Sequence, residues 1–319
     1  MISPSDQWLG VELRHFAALQ AVASEGSFRR AAVRLGYTQS AVSQQIAALE
    51  HIVGERLIER PGGPRAVSLT DAGRLLLRHA EVILARINAA QADLGALSAG
   101  ESGSLKVGTY QSVGQRILPL LMRKFTADWP QLEIGLVESA NDDSLLRLVE
   151  SGELDLTFSI YPLLPGPFEG AELMRDPYVL VLPADSPLAH RGGRMSWQEI
   201  ASLPLIGYRQ CRSVDQVDAF LVGQGVEPNV IFRSDDNGTI QGLVGAGMGG
   251  ALMPRLCVDA SDHNVTVVGL AADGPVRTIA LAWHRDRYRT AASRAFVSAA
   301  RDICAEIEQG MEDSVDISA

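Results

Sequence analysis

The side chains with the clearest chemical use lie between positions 38 and 47. There Ser40, Ser43, Gln44 and Ala47 recur at helical steps of three and four. Hydroxyls and amides on one helix face can read base edges: glutamine pairs with N6 and N7 of adenine, and serine donates or accepts. Val42, Ile46 and Leu49 occupy the opposite face, so the stretch reads as an amphipathic helix. A plain three-helix packing unit with a polar outer face has the same periodicity, and periodicity alone leaves both readings standing. Other chemistry finds less support. There is no G-x-S-x-G elbow and no H-E-x-x-H, and the six histidines (15, 51, 79, 190, 263, 284) lack ligand spacing. An enzyme or a metal protein is therefore not expected, and no cofactor is implied. Cys211, Cys257 and Cys304 stand far apart without a C-x-x-C. That fits a reducing cytoplasm and supplies neither a disulfide framework nor a zinc site.

The polar row needs elements to hold it. Leu13, Phe16, Leu19 and Ala23 recur at helical steps and predict a first helix ending at Glu25-Gly26, where glycine suits the C-terminal position. Ser27 caps a short second helix with Phe28, Ala31, Ala32 and Leu35 turned inward. Residues 36–38 form a tight turn, and a third helix follows from about 39 to 50. Paired Ala31 and Ala32 let helices approach closely, and the turn has the length of a helix-turn-helix.

At about 150 residues per domain, 319 residues suggest two domains. With 46% hydrophobic and 21% charged residues, the chain has ordinary globular composition. No secretory leader and no apolar run near the ~18 residues of a membrane span are present. A net charge of −10 taken whole counts against a nucleic-acid binder, yet the charge is unevenly spread. Residues 1–98 carry ten arginines against nine carboxylates, and residues 99–319 carry 18 basic against 29 acidic groups. Six arginines (29, 30, 34, 56, 60, 65) face three glutamates within 29–65. A near-neutral head with a local basic cluster precedes an acidic body. The small polar stretch 98–104 reads as a linker between them.

Before that linker, Leu76, Ala80, Ile83, Ile87, Ala90, Leu94 and Leu97 recur at steps of 4 and 3 along a helix of about 28 residues. That heptad stripe predicts a dimer seam roughly 42 Å long. After it, strand and helix patterns alternate: strands at 105–109, 132–137 and 154–160, then at 178–182, 204–208, 230–233 and 249–253. Helices are expected at 115–127, 143–151 and near 290–308. Alternation of this kind predicts parallel sheets with helices on both faces, in two lobes. Ligands in such sheets bind beyond the strand ends. Tyr110, Gln111, Ser112, Ser139, Asn141, Tyr208, Arg209 and Asn237 fall there and are candidate effector contacts. Ser112 with Gln115, and Ser213 with Gln216, have capping-box spacing, which predicts free helix amides suited to a carboxylate.

Residues 27–50, SFRRAAVRLGYTQSAVSQQIAALE, resemble the winged helix-turn-helix of the LysR-type transcriptional regulators. The match continues through Gly54, Leu57, Ile58, Glu59 and Arg60 to the run 69–73, LTDAG. The resemblance implies that Thr38, Gln39, Ser40, Ser43 and Gln44 contact operator DNA from the recognition helix. Ser27, Arg29, Arg30 and Arg34 join the same surface, and Arg60 to Arg65 form the wing. Ser40 stands where the family usually has proline and Gln44 where it often has arginine, so base preference is not carried over. Residues 152–156 (GELDL) and 243–254 (LVGAGMGGALMP) are similar to the family's effector-binding domain, whose fold resembles periplasmic binding proteins.

The implied architecture is a multi-domain α/β protein. It has a winged helix-turn-helix at 11–68, a dimerisation helix at 69–98 and a two-lobed α/β domain at 103–308. Lobe I takes about 103–160 and 281–308, and lobe II about 176–270, with crossings near 161–175 and 271–280. The inter-lobe cleft, with Tyr161 and Cys211 added to its candidates, would hold a small effector, a carboxylate or an aromatic metabolite. The implied partners are double-stranded operator DNA, a second copy in a homodimer or tetramer, and RNA polymerase, with no membrane. Cys211 lies between Arg209 and Arg212 before a helix, a setting that favours a thiolate. It resembles the family's peroxide-sensing branch, so a thiol-based redox regulator is the alternative.

Overall fold

The structure, a computed structural model, describes residues 8–59, 67–99, 103–188, 195–209, 212–270 and 274–316. Contacts divide the chain into two compact units, Met1–Gln91 and Ala92–Ala319. Arg60, Arg65 and Cys211 lie outside the described residues, as do the side chains of Leu97, Ser213 and Gln216.

In the first unit, α1 (Leu13–Glu25), α2 (Phe28–Leu35) and α3 (Gln39–Val53) are short because each is stopped by a glycine. Gly26 and Gly36 adopt φ of 58° and 69°, a left-handed conformation that costs glycine nothing. Ser27 and Thr38 cap α2 and α3 by accepting from the amides of Arg30 and Ala41. Leu19, Val22, Val42, Ile46 and Leu49 bury fully against one another. Ala31 and Ala32 are buried with them, and their small size lets α2 seat close to its neighbours. The antiparallel ribbon β1 (Ile58–Glu59) and β2 (Ser68–Leu69) follows. It is tied to α3 by Glu50, whose carboxylate accepts from the amides of Leu57 (2.9 Å) and Ile58 (3.2 Å).

The long helix α4 (Asp71–Ala99) starts so close to this ribbon that a Cβ at Gly73 would sit 2.1 Å from the Leu57 carbonyl oxygen. Its stripe divides. Leu76 and Ala80 are buried in the head's own core, so the expectation that they belong to a dimer seam is corrected. A helix this near the head must spend its first turns covering that core. Ile83, Ile87, Ala90 and Leu94 remain exposed, and so do Leu75 and Val82, which the heptad count missed.

The second unit opens with β3 (Ser104–Thr109), α5 (Gln111–Arg116), α6 (Leu118–Asp128), β4 (Glu133–Glu138), α7 (Asp142–Glu150), β5 (Leu156–Tyr161) and β6 (Phe168–Pro183). It continues with α8 (Trp197–Ser202), β7 (Leu205–Tyr208), α9 (Arg212–Gly223), β8 (Val230–Ser234) and α10 (Asn237–Gly245). The last elements are β9 (Ala251–Pro254), β10 (Val265–Gly269), β11 (Val276–His284) and α11 (Ala291–Asp316). The single helix expected at 115–127 is two helices. Pro119 falls in the first turn of α6, where its missing N–H interrupts no ladder but ends the one before it.

The seven-stranded sheet is mixed rather than parallel, and β7 and β8 form a separate parallel pair. β3 runs parallel to β4 and β5, while β11 runs antiparallel to both β5 and β6. The physical reason is the crossing: β6 leaves the first lobe and β11 returns to it, so the two must oppose. From Phe168 to Pro177, β6 pairs with β11; from Tyr178 it pairs with β9 and β10. One continuous strand thus carries the chain between lobes, and burial along it becomes uninterrupted from Tyr178 to Leu182, as for a strand covered on both faces. On the return, residues 276–280, expected as a crossing, already pair in the first lobe's sheet. β10 and β11 were not anticipated. Separate apolar cores support the lobes, one around Phe125, Phe158 and Phe296, the others around Leu180 and Val181.

Candidate DNA interface and effector cleft

The first candidate surface is the N-terminal half of α3. Gln39, Ser40 and Gln44 are exposed and Ser43 is partly so. Thr38 and Ser27 serve first as caps, and Thr38 Oγ1 also lies 3.0 Å from Ser40 Oγ. The arginines of α2 divide by partner. Arg30 and Arg34 converge on Glu25, at 3.7 and 3.6 Å, and Arg34 donates to Ser24 Oγ at 2.6 Å. Arg29 is exposed and has no side-chain partner among the described residues. The net positive charge facing outward from this corner is thus smaller than the arginine count suggests, and polar readers outnumber free cations.

The second is a cleft of about 640 Å³, solvent included, between the two lobes of the second unit. Of the predicted effector residues, Tyr110, Gln111, Ser112, Tyr208 and Asn237 line it. Ser139, Asn141, Tyr161 and Arg209 do not. Ser139 and Asn141 bond within their own turn, with Asn141 Oδ1 accepting from the Asp143 amide at 3.0 Å. Tyr161 is exposed at the end of β5. The capping box expected at Ser112 and Gln115 is not formed. α5 begins at Gln111, ahead of Ser112, with no side-chain cap. At α10 the Asp236 carboxylate accepts from Thr239 N, and Asn237 N donates to Gln111 Oε1.

Residues far apart in sequence supply the rest of the wall: Asp142, Ile160, Arg212, Asp235, Cys257 and Arg277. Arg277 and Asp176 form a fully buried ion pair at 2.7 Å, and Asp176 also accepts from Leu256 N at 2.9 Å. Arg277 donates to Ser112 Oγ at 2.9 Å, lies 3.5 Å from Cys257 Sγ and stands 5.7 Å from the Tyr110 ring centroid. Burial alone would lower its pKa, but the Cys257 sulfur and the Asp176 carboxylate beside it raise it well above the usual value. The guanidinium stays charged. Burial, with Asp142, Asp176 and Cys257 nearby, pushes the Tyr110 phenol up despite Arg277. Tyr110 therefore stays a neutral hydroxyl.

Two further contacts clasp the lobes. Gln111 Nε2 donates to Asp236 Oδ2 at 2.7 Å while its carbonyl accepts from Asn237 N at 3.1 Å. Arg212 donates to Asp142 Oδ2 at 2.5 Å, to the Ile160 carbonyl at 2.9 Å and to the Pro162 carbonyl. Tyr208 donates to Asn237 Oδ1 at 2.8 Å. The sequence carried no local signal for Asp142, Asp176 or Arg277, because each acts through partners dozens of residues away.

The chain matches the family model described as LysR substrate binding domain over residues 98–305. It matches that described as bacterial regulatory helix-turn-helix protein, lysR family, over residues 13–74. It is 30% identical over 292 residues to the uncharacterized HTH-type transcriptional regulator YnfL of Escherichia coli (strain K12), covering 90% of this chain and 97% of that protein. Among solved structures, the full-length OxyR of Pseudomonas aeruginosa bearing a cysteine-to-aspartate substitution superposes with a TM-score of 0.64 at 23% identity. It covers 92% of this chain and 94% of its own. Full-length CbnR, solved in complex with its target DNA, gives 0.63 at 22% identity, covering 92% of this chain and all of its own. At these identities the two structures speak for the fold.

Proposed function

This chain belongs to the LysR family of helix-turn-helix transcriptional regulators, DNA-binding proteins with an effector-binding C-terminal domain, and from that premise we propose how it reads DNA and senses its ligand. Gln39, Ser40, Ser43 and Gln44 enter the major groove and meet base edges. Arg29 and the wing arginines Arg60 and Arg65 hold the phosphates, with Ser27, Arg30, Arg34 and Thr38 at the margin. The observation that carries this reading is the exposed row of amides and hydroxyls on α3, packed from behind by an entirely apolar face.

We take the domains as a head at 11–68, a connecting helix at 69–98 and an effector domain at 103–308. Two copies pair through Ile83, Ile87, Ala90, Leu94 and Leu97, which fixes the separation of their recognition helices to that of two half-sites. CbnR has been solved with target DNA, and a DNA-bound homodimer or tetramer is the arrangement proposed for this chain in the cytoplasm, in contact with RNA polymerase. No helix among the described residues is long and apolar enough to cross a membrane. The effector occupies the cleft at Tyr110, Gln111, Ser112, Tyr208 and Asn237 and acts through its different affinity for two lobe arrangements.

The DNA reading is tested with Gln39→Ala on sites enriched from a random duplex pool. The loss of a bidentate base contact should weaken specific binding about 5- to 100-fold and leave binding to unrelated duplex near its original value. Equal losses on both contradict a base-reading role.

A further inference from the structure

We propose that the effector carries a protonated amine, seated on the free oxygen of Asp142. The inference rests on the reading of this cleft as the effector site. It departs from the carboxylate expected from sequence because most of the groups that would grip a carboxylate are already engaged, whereas the oxygen left without a partner on this wall is itself an acceptor. Arg212 has three acceptors: Asp142 Oδ2, the Ile160 carbonyl and the Pro162 carbonyl. Arg277 engages Asp176, Ser112 and Cys257 through Nε and one terminal nitrogen, and its other terminal nitrogen makes no hydrogen bond among the described residues. The amides of Asp143, Asn237 and Thr239 at the starts of α7 and α10 are held by Asn141, Gln111 and Asp236, while α5, without a side-chain cap, is only six residues long.

What the cleft leaves open is an acceptor. Asp142 is 8% exposed and lines the cleft, and its Oδ1 is buried without a hydrogen-bond partner. The Tyr110 hydroxyl, on the same cavity, is also buried and unpartnered. Buried polar atoms are rarely left so, and two on one wall call for an occupant with hydrogen-bonding groups. A carboxylate oxygen selects a donor, and a charged donor above a neutral one.

The faces of Tyr110 and Tyr208, on the same lining, attract a cation. A zwitterionic amine fits too, since the Tyr110 hydroxyl can donate to its second group.

The test is calorimetry on the full-length protein with four compounds on one skeleton: phenethylamine, phenylalanine, 3-phenylpropanoate and 2-phenylethanol. The amine-bearing pair should bind at least tenfold more tightly than the carboxylate-only and alcohol compounds. Asp142→Asn, with its melting temperature checked, should lose at least tenfold in phenethylamine affinity. The alcohol comparison is made on the unaltered protein, so it stands even if that variant folds poorly. A 3-phenylpropanoate or 2-phenylethanol affinity equal to that of the amines overturns the proposal. So does no binding of either amine at 10 mM, which leaves Asp142 Oδ1 to water, and so does an unchanged affinity in a folded Asp142→Asn. DNA affinity measured in parallel separates the two readings. Amine binding with no effect on DNA removes the effector role and keeps the amine class. Carboxylate preference with an effect on DNA does the reverse.

Discussion

Replacing Asp176 by alanine leaves the Arg277 guanidinium buried, charged and without its counter-ion, at the point where β6 and β11 pass between the lobes. The carboxylate meets Arg277 Nε at 2.8 Å and its terminal nitrogen at 2.7 Å, and also accepts from Leu256 N. Both partners are almost wholly shielded from water, at 0% and 5% side-chain exposure, so solvent cannot replace what is lost. Removing one member of such a pair costs about 3–5 kcal/mol. For a unit of this size, 1 kcal/mol moves the melting temperature by roughly 2–4 °C, which gives a fall of about 6–20 °C. Differential scanning calorimetry on the full chain should place that fall in the transition of the C-terminal unit and leave the head's transition where it was. Asp176→Leu combined with Arg277→Met removes both charges and should recover most of the loss, because an apolar pair of similar volume carries no desolvation cost. A single variant that shifts melting by less than about 2 °C, or a double variant as unstable as the two losses added, refutes the account.

Ile83→Asp puts a charge on the exposed part of the α4 stripe, and sedimentation should report monomers; an unchanged mass would remove the proposed pairing surface. The Thr239 amide and the Gln111 side chain hold the Asp236 carboxyl below its usual range, so the clasp it makes is present above the ordinary carboxylate pKa, about 4, and is lost as pH falls through the lower folded value. The melting difference between the unaltered chain and Asp236→Asn should accordingly be full at neutral pH and shrink in acid, and a difference that stays constant as pH falls below the ordinary carboxylate value would contradict it. Burial, with Glu308 adding to it, pushes the Cys304 thiol up to about 12, so iodoacetamide at pH 8 should spare it in the native protein and label it on unfolding. Labelling at the rate of a free thiol in the native state would show that the site is open.

The overall charge illustrates how far composition can mislead. The acid resides in the C-terminal unit, while the head keeps arginines around its reading helix. Two of them are drawn to Glu25, and a shallow dependence of DNA affinity on salt is the expected outcome of a titration.

What could be read directly from the chain was local. Ser27 and Thr38 are caps, Gly26 and Gly36 are stops, and Leu19, Val42 and Ile46 are core, because each follows from neighbours within a turn or two. Tyr110, Gln111, Ser112, Tyr208 and Asn237 were legible as strand-end residues, and they do share one cleft. The tertiary structure alone decided the rest. It turned Leu76 and Ala80 into the head and left the exposed stripe to start only at Ile83. It gave the Asn237 amide to Gln111 from across the cleft, and it joined Asp176 to Arg277 over a separation of 101 residues. Periodicity and capping are set by bonds a few residues apart. A buried ion pair and an orphan carboxylate oxygen depend on which distant segments meet, and no local pattern encodes that.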